Sequence, residues 1–284
     1  MKYLTHTGIA ITGTLAAGLM GSTALAADIA EPGCVQAVSG FNGKLEAAGG
    51  YIEDLDDGER YHGVGTLSLP LGCLFGAQLD IGGGDLDGTD FYGVGGHLFM
   101  RDPESYLIGV HAQYIDLDGF DIFRIGPEAE FYFGNFTLSA FAGLEDAEGL
   151  SDDVIADIEA AYYITEDFKV SGGYRRFLDI DAGAVGVEFQ PGIGFPVSLF
   201  ADAMFGSDDY TSIMGGIRIY FGSGDKSLMA RHREDDPPHL FNLLRQVGDG
   251  GIGDDDGHLC PVLHDSLLLE SPLPKECIVR KNPP

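Results

Sequence analysis

The chain has 284 residues, with 43 glycines, 45 acidic and 16 basic side chains, no tryptophan and four cysteines. A net charge of −29 argues against nucleic acid as a partner, since nothing here would neutralise a phosphate backbone, and a hydrophobic share of 44% argues against wholesale disorder. Abundant glycine with 12 Tyr and 18 Phe favours β-structure over a helical bundle, a Rossmann-type enzyme or a DNA-binding domain.

Residues 1–26 have the layout of a secretory signal peptide. Lys2 supplies the positive start, Gly8 to Met20 form a mostly apolar run, and Ala24-Leu25-Ala26 is a small-x-small cleavage site. The run is too short for a transmembrane helix. An N-terminal segment, 27–42, precedes the patterned region.

From residue 43 the apolar side chains alternate in runs of about ten, the period of strands with one apolar face. Twelve such runs are predicted: 43–52, 60–69, 72–82, 89–100, 105–115, 120–133, 135–144, 154–164, 167–177, 182–190, 196–205 and 210–221. In the fifth, Tyr106, Ile108, Val110, Ala112 and Tyr114 share one face, and Gly109, His111 and Gln113 the other. The opposite face carries glycine and charges of both signs, as in a narrow polar barrel interior.

The turns fall into two populations. Odd-numbered connections (53–59, 85–90, 116–121, 145–153, 179–181 and 208–209) hold 20 acidic residues, while the even ones hold four. Only an up-and-down meander puts every second turn on the same side. A repeat agrees with this: Asp54-Leu55-Asp56-Asp57-Gly58, Asp85-Leu86-Asp87-Gly88 and Asp116-Leu117-Asp118-Gly119 start 31 residues apart. That interval is about two strands plus two turns. The predicted fold is all-β: a transmembrane antiparallel barrel of about twelve strands over 43–221, with a short irregular extension, 222–284.

Here the chain resembles the Gram-negative outer-membrane β-barrel proteins of the porin-like and opacity-like type. The most specific element is the last strand, Gly216-Ile217-Arg218-Ile219-Tyr220-Phe221, which looks like that family's terminal assembly signal through Gly216, Ile219 and Phe221. Met214 stands where the family prefers a polar residue, and the chain runs 63 residues past the aromatic at which such proteins usually end. The resemblance implies an outer-membrane location, contact with lipid and with the barrel-assembly machinery, and a periplasmic N-terminus and extension. It turns the acidic connections outward. Cys34 and Cys73 then share the periplasmic rim and can pair, and Cys260 and Cys277 can close a loop in the extension, as oxidising export favours.

The expected lumen residues are Lys44, Glu46, His62, Gln78, Asp80, His97, His111, Gln113, Arg124, Glu128, Glu130, Asp157, Glu159, Lys169, Arg175, Glu188, Asp202 and Arg218. Acids outnumber bases, so an open path would favour cations; the same charges can instead pair across a closed interior. The turns Asp85, Asp87, Asp90 and Asp116, Asp118, Asp121 share a D-x-D-G-x-D spacing that resembles calcium loops, although Asp and Gly are also what a hairpin turn requires. They are the candidate sites for divalent cations. No catalytic constellation is legible, and no enzyme activity or cofactor is expected.

In the extension, Lys226 to Arg233 can start a short helix with Ser227 as its cap, and Phe241 to Val247 is a small amphipathic patch. This stretch can plug the lumen, pack on the rim or meet a periplasmic partner. The function expected is a passive, cation-preferring channel for small solutes. The alternative is a closed structural or surface-interaction barrel.

Overall fold

The computed structural model describes residues 35–244, apart from 54–56, 148–152, 208–209 and 223. The signal peptide, Cys34, Cys260, Cys277 and the extension beyond 244 lie outside the described residues. Twelve strands form: β1 (Asn42–Glu53), β2 (Asp57–Pro70), β3 (Phe75–Leu86), β4 (Thr89–Asp102), β5 (Tyr106–Leu117) and β6 (Phe120–Phe133). The chain continues through β7 (Phe136–Ala147), β8 (Asp153–Thr165), β9 (Phe168–Phe177), β10 (Ile180–Phe189), β11 (Val197–Gly206) and β12 (Thr211–Phe221). Each pairs antiparallel with its neighbour, and β1 closes the ring on β12 from Gly43↔Phe221 to Glu53↔Thr211. Closure leaves no unpaired edge, which lipid would not tolerate.

All six odd turns therefore lie on one rim, the acidic rim, and the even turns with both barrel ends on the other, the short-turn rim. Three acidic connections are two-residue hairpins with both residues left-handed: Asp87 (φ 53°) with Gly88 (φ 85°), Asp118 (φ 50°) with Gly119 (φ 88°), and Leu178 (φ 46°) with Asp179 (φ 62°). Asp-Gly is the pair that such a turn selects.

The alternation sorts the side chains. Along β6, Phe123, Ile125 and Phe131 face out, whereas Arg124, Glu128 and Glu130 face in. Half-exposed Leu45, Ile81, Leu98, Val110, Ile158 and Val185 continue this belt around the ring. Such a surface belongs against hydrocarbon.

The interior differs from expectation at one end. A polar lumen was expected throughout, yet near the acidic rim the inward positions are Ile52, Leu86, Phe91, Ile115, Leu117, Phe120, Ile122, Ile155, Phe177 and Ile180, all buried. Period 2 shows which residues share a face. It cannot show that inward-facing apolar residues near the strand ends have something to pack against.

Their partner is the extension. Helix α1 (Leu228–Glu234) forms as its sequence suggests, with the Ser227 hydroxyl accepting from the Ala230 N–H at 3.3 Å. It docks at the short-turn rim, where the Leu228 N–H donates to Asp167 (3.0 Å) and the Met229 N–H to the Glu166 carbonyl (2.9 Å). The chain then climbs inside the barrel, ending with Leu240, Phe241, Leu243 and Leu244 in the apolar cluster. Residues 235–244 thus fill the lumen, one of the three placements left open for the extension.

Candidate functional site: the plugged lumen

All of the lumen residues named from sequence face inward. Alternation aims them, and opposite charges on neighbouring strands then pair. Arg218 on β12 bridges two carboxylates, its Nε 2.7 Å from Glu46 on β1 and its Nη1 2.5 Å from Glu188 on β10. Glu188 also accepts from the Ser198 (2.6 Å) and Tyr220 (3.0 Å) hydroxyls. Arg175 reaches Asp157 (3.4 Å) and Glu159 (3.6 Å), and Lys169 reaches Glu159 (3.5 Å). Gln113 accepts from Arg124 at 3.4 Å, and Glu130 accepts from the Tyr132 hydroxyl at 2.7 Å. On the far wall His97 lies between Glu128 (2.8 Å) and Asp80 (3.1 Å), with His111 stacked on it. Gly216 makes room for the Phe200 ring, over which the Arg218 guanidinium stacks at 4.0 Å. Ile219 and Phe221 lie on the outward face of β12.

Several residues that hold the plug were not singled out from sequence. Asp236 pairs with Lys44, the Pro237 carbonyl accepts from Gln78 (3.0 Å), and His239 Nε2 lies 3.3 Å from Glu46. Higher up, fully buried Arg60 donates to the Phe241 (2.7 Å) and Asn242 (3.0 Å) carbonyls. Arg124 donates to the Leu243 carbonyl (2.8 Å) while paired with Glu145 (2.7 Å), and the Tyr210 hydroxyl donates to the Leu244 carbonyl (3.2 Å). Glu145, counted among the acidic turn residues, is therefore buried. The Phe241 ring sits over Gly82 and Gly93, a directly paired couple on β3 and β4; a Cβ on either would stand 3.2 or 2.9 Å from the ring. Both glycines are visible in the sequence, but their shared notch exists only once the strands pair.

Beside the plug remains a cavity of ≈ 140 Å³, lined by seven carboxylates and five cationic side chains. The described plug residues occupy the lumen beside it.

The acidic turns look different. Asp85 and Asp116 each accept from the glycine N–H three residues on, at 2.9 and 3.2 Å, and Asp121 accepts from the Tyr114 hydroxyl at 2.6 Å. Asp87 and Asp118 occupy the left-handed positions, and Asp90 stands across from Asp85. Hairpin geometry accounts for these residues. Among the described residues no cysteine is free; Cys73 is in a bonded state, in the turn before β3 rather than within it.

A closed antiparallel barrel with an apolar belt and a charged interior defines a porin-like outer-membrane β-barrel, and an outer-membrane location follows. No family model and no curated relative matches the chain. Among solved structures, a KdgM porin in complex with disordered oligogalacturonate matches with a TM-score of 0.50 at 8% identity, over 63% of this chain and 99% of that one. Omp33 of Acinetobacter baumannii (TM-score 0.42, 13% identity, 64% and 100%) and the COG4313 outer membrane channel of Pseudomonas putida F1 (0.46, 8%, 68% and 100%) also match. The first likeness establishes the fold, a closed antiparallel β-barrel.

Proposed function

We propose that this protein is an outer-membrane channel held closed by its own C-terminal segment, and that small cations pass when the segment leaves the lumen. The observation that carries this reading is the passage of residues 235–244 through the barrel interior. Arg60 supports a plug that can leave. It is fully buried with no carboxylate within ion-pair distance among the described residues, held instead by two plug carbonyls that water would replace. Cation preference rests on the excess of carboxylates around the cavity. We take the acidic rim as the outer one. The Ala37 N–H bonds the Cys73 carbonyl at 2.7 Å, which supports the expected Cys34–Cys73 disulfide.

The apolar seal favours a second reading, a permanently closed structural barrel. Planar-bilayer recordings separate the two. The full chain is expected to be silent for most of the record, whereas a chain ending at Phe221 should give discrete, cation-selective steps. Silence from that shortened barrel, with its heat-modifiable migration intact, would leave the structural reading standing alone.

A further inference from the structure

One cluster in the lumen keeps a buried nitrogen that neither the ion network nor the plug satisfies. Asp80 on β3, His97 on β4 and His111 on β5 are neighbours on three consecutive strands, His97 and His111 being directly paired. All three are buried, and one donor atom from each lies within 4.8 Å of the others. We propose that these side chains form a binding site for a divalent transition-metal ion, Zn2+ by their donor chemistry.

His111 points most directly to a ligand. It is 2% exposed, and its Nε2 has no hydrogen-bond partner, which is costly for a buried polar atom. The space before that nitrogen is kept open: a Cβ on Gly95 would stand 3.3 Å from it. The ring is stacked on His97 with centroids 3.9 Å apart and 7° between planes.

The other two groups are held as metal ligands usually are. His97 turns Nδ1 to Glu128 (2.8 Å), leaving Nε2 facing Asp80 at 3.1 Å. A carboxylate behind a histidine fixes ring orientation and raises basicity in many metal sites. Asp80 accepts at Oδ1 from the Thr66 hydroxyl (2.7 Å) and at both oxygens from the Gln78 amide (3.0 and 3.1 Å), with Oδ2 on the side of His97. Donors around a tetrahedral zinc stand about 3.3 Å apart, so Asp80 and His97 are spaced as ligands, whereas the His111 ring, now parallel to His97, closes by up to about 1.5 Å and tilts to aim its lone pair at the same ion. Two imidazoles and one carboxylate suit Zn2+ and its neighbours, whereas Ca2+ and Mg2+ require oxygen ligands. Three protein ligands leave one position for water. Binding needs the ligating nitrogen of each ring free of its proton.

Co2+ serves as the probe, added to the folded, chelator-treated full chain in detergent. One equivalent should bind with the strong visible bands of four-coordinate cobalt, and one equivalent of Zn2+ should bleach them. His111→Gln should abolish the bands, and Glu128→Gln should weaken binding about 10- to 100-fold. Joint Asp85→Asn and Asp116→Asn changes on the acidic rim should alter nothing. Equal affinity in His111→Gln, or no saturable equivalent in the parent, overturns the proposal. Should His111→Gln lose its heat-modifiable migration, Glu128→Gln decides: unchanged affinity there overturns the site as well.

Discussion

Near the short-turn rim, inward positions carry Lys44, Glu46, Glu130, Glu159, Lys169, Glu188 and Arg218, and each group meets an opposite charge or a hydroxyl. Near the acidic rim, the same strands turn Ile52, Leu86, Phe91, Ile115, Phe177 and Ile180 inward, around the Phe241 and Leu244 side chains of the plug. The lower half is nearly complete in itself, because its charges are matched within the wall, apart from Lys44, which pairs with Asp236 of the plug. The upper half is not. Without residues 240–244 its apolar side chains would line a water-filled mouth, and burying them is what retains the plug.

This contrast can be broken from either side. Arg218→Met should strike the lower half alone, leaving Glu46 and Glu188 facing each other; the loss is about 3–5 kcal/mol of barrel stability, read as a lower heat-modification temperature. Arg218→Lys should recover little, since an ammonium cannot reproduce the two-armed bridge. Phe241→Ala should strike the upper half alone. Its fully buried ring is worth about 3–5 kcal/mol, here to plug retention, so labelling of an introduced cysteine at Asn242 should speed up while barrel unfolding stays unchanged. Equal effects of the two changes on both readouts would dissolve the distinction.

Gly82→Ala is a finer probe. Its Cβ would press on the Phe241 ring from 3.2 Å, for about 1–3 kcal/mol against the plug and little against the strands. The smallest expected effect is on α1. Burial holds the His232 imidazole below its ordinary value, despite Glu188 at 3.5 Å acting the other way, so docked α1 favours the neutral ring. The undocked helix then binds more protons, and docking weakens as pH falls below about 6.5. Amide exchange across 228–234 should be faster at pH 5.5 than at 7.5, with the difference lost in His232→Gln.

Much of this barrel was legible beforehand. The Asp-Gly turns, the 31-residue interval and the alternation along runs such as 120–133 place all twelve strands to within four residues. They also put Glu46, His97 and Arg218 on the inward face. The candidate site was legible only as a set of inward residues. Glu145 read as one more turn acid because the sequence does not mark where a strand ends and a rim begins. Arg60 was not singled out, because its partners are backbone carbonyls about 180 residues away, which leave no trace in composition or spacing.

Local pattern alone determined strand number, order and facing, because in an up-and-down barrel each strand pairs with its neighbours in the chain and every turn carries its own chemistry. The state of the lumen was decided only in three dimensions. Whether inward Ile and Leu residues flank an open mouth or a seal depends on what fills the space between them, and the tail that fills it meets strands from opposite walls at once. Contacts of that range follow from ring closure, and no stretch of sequence contains them.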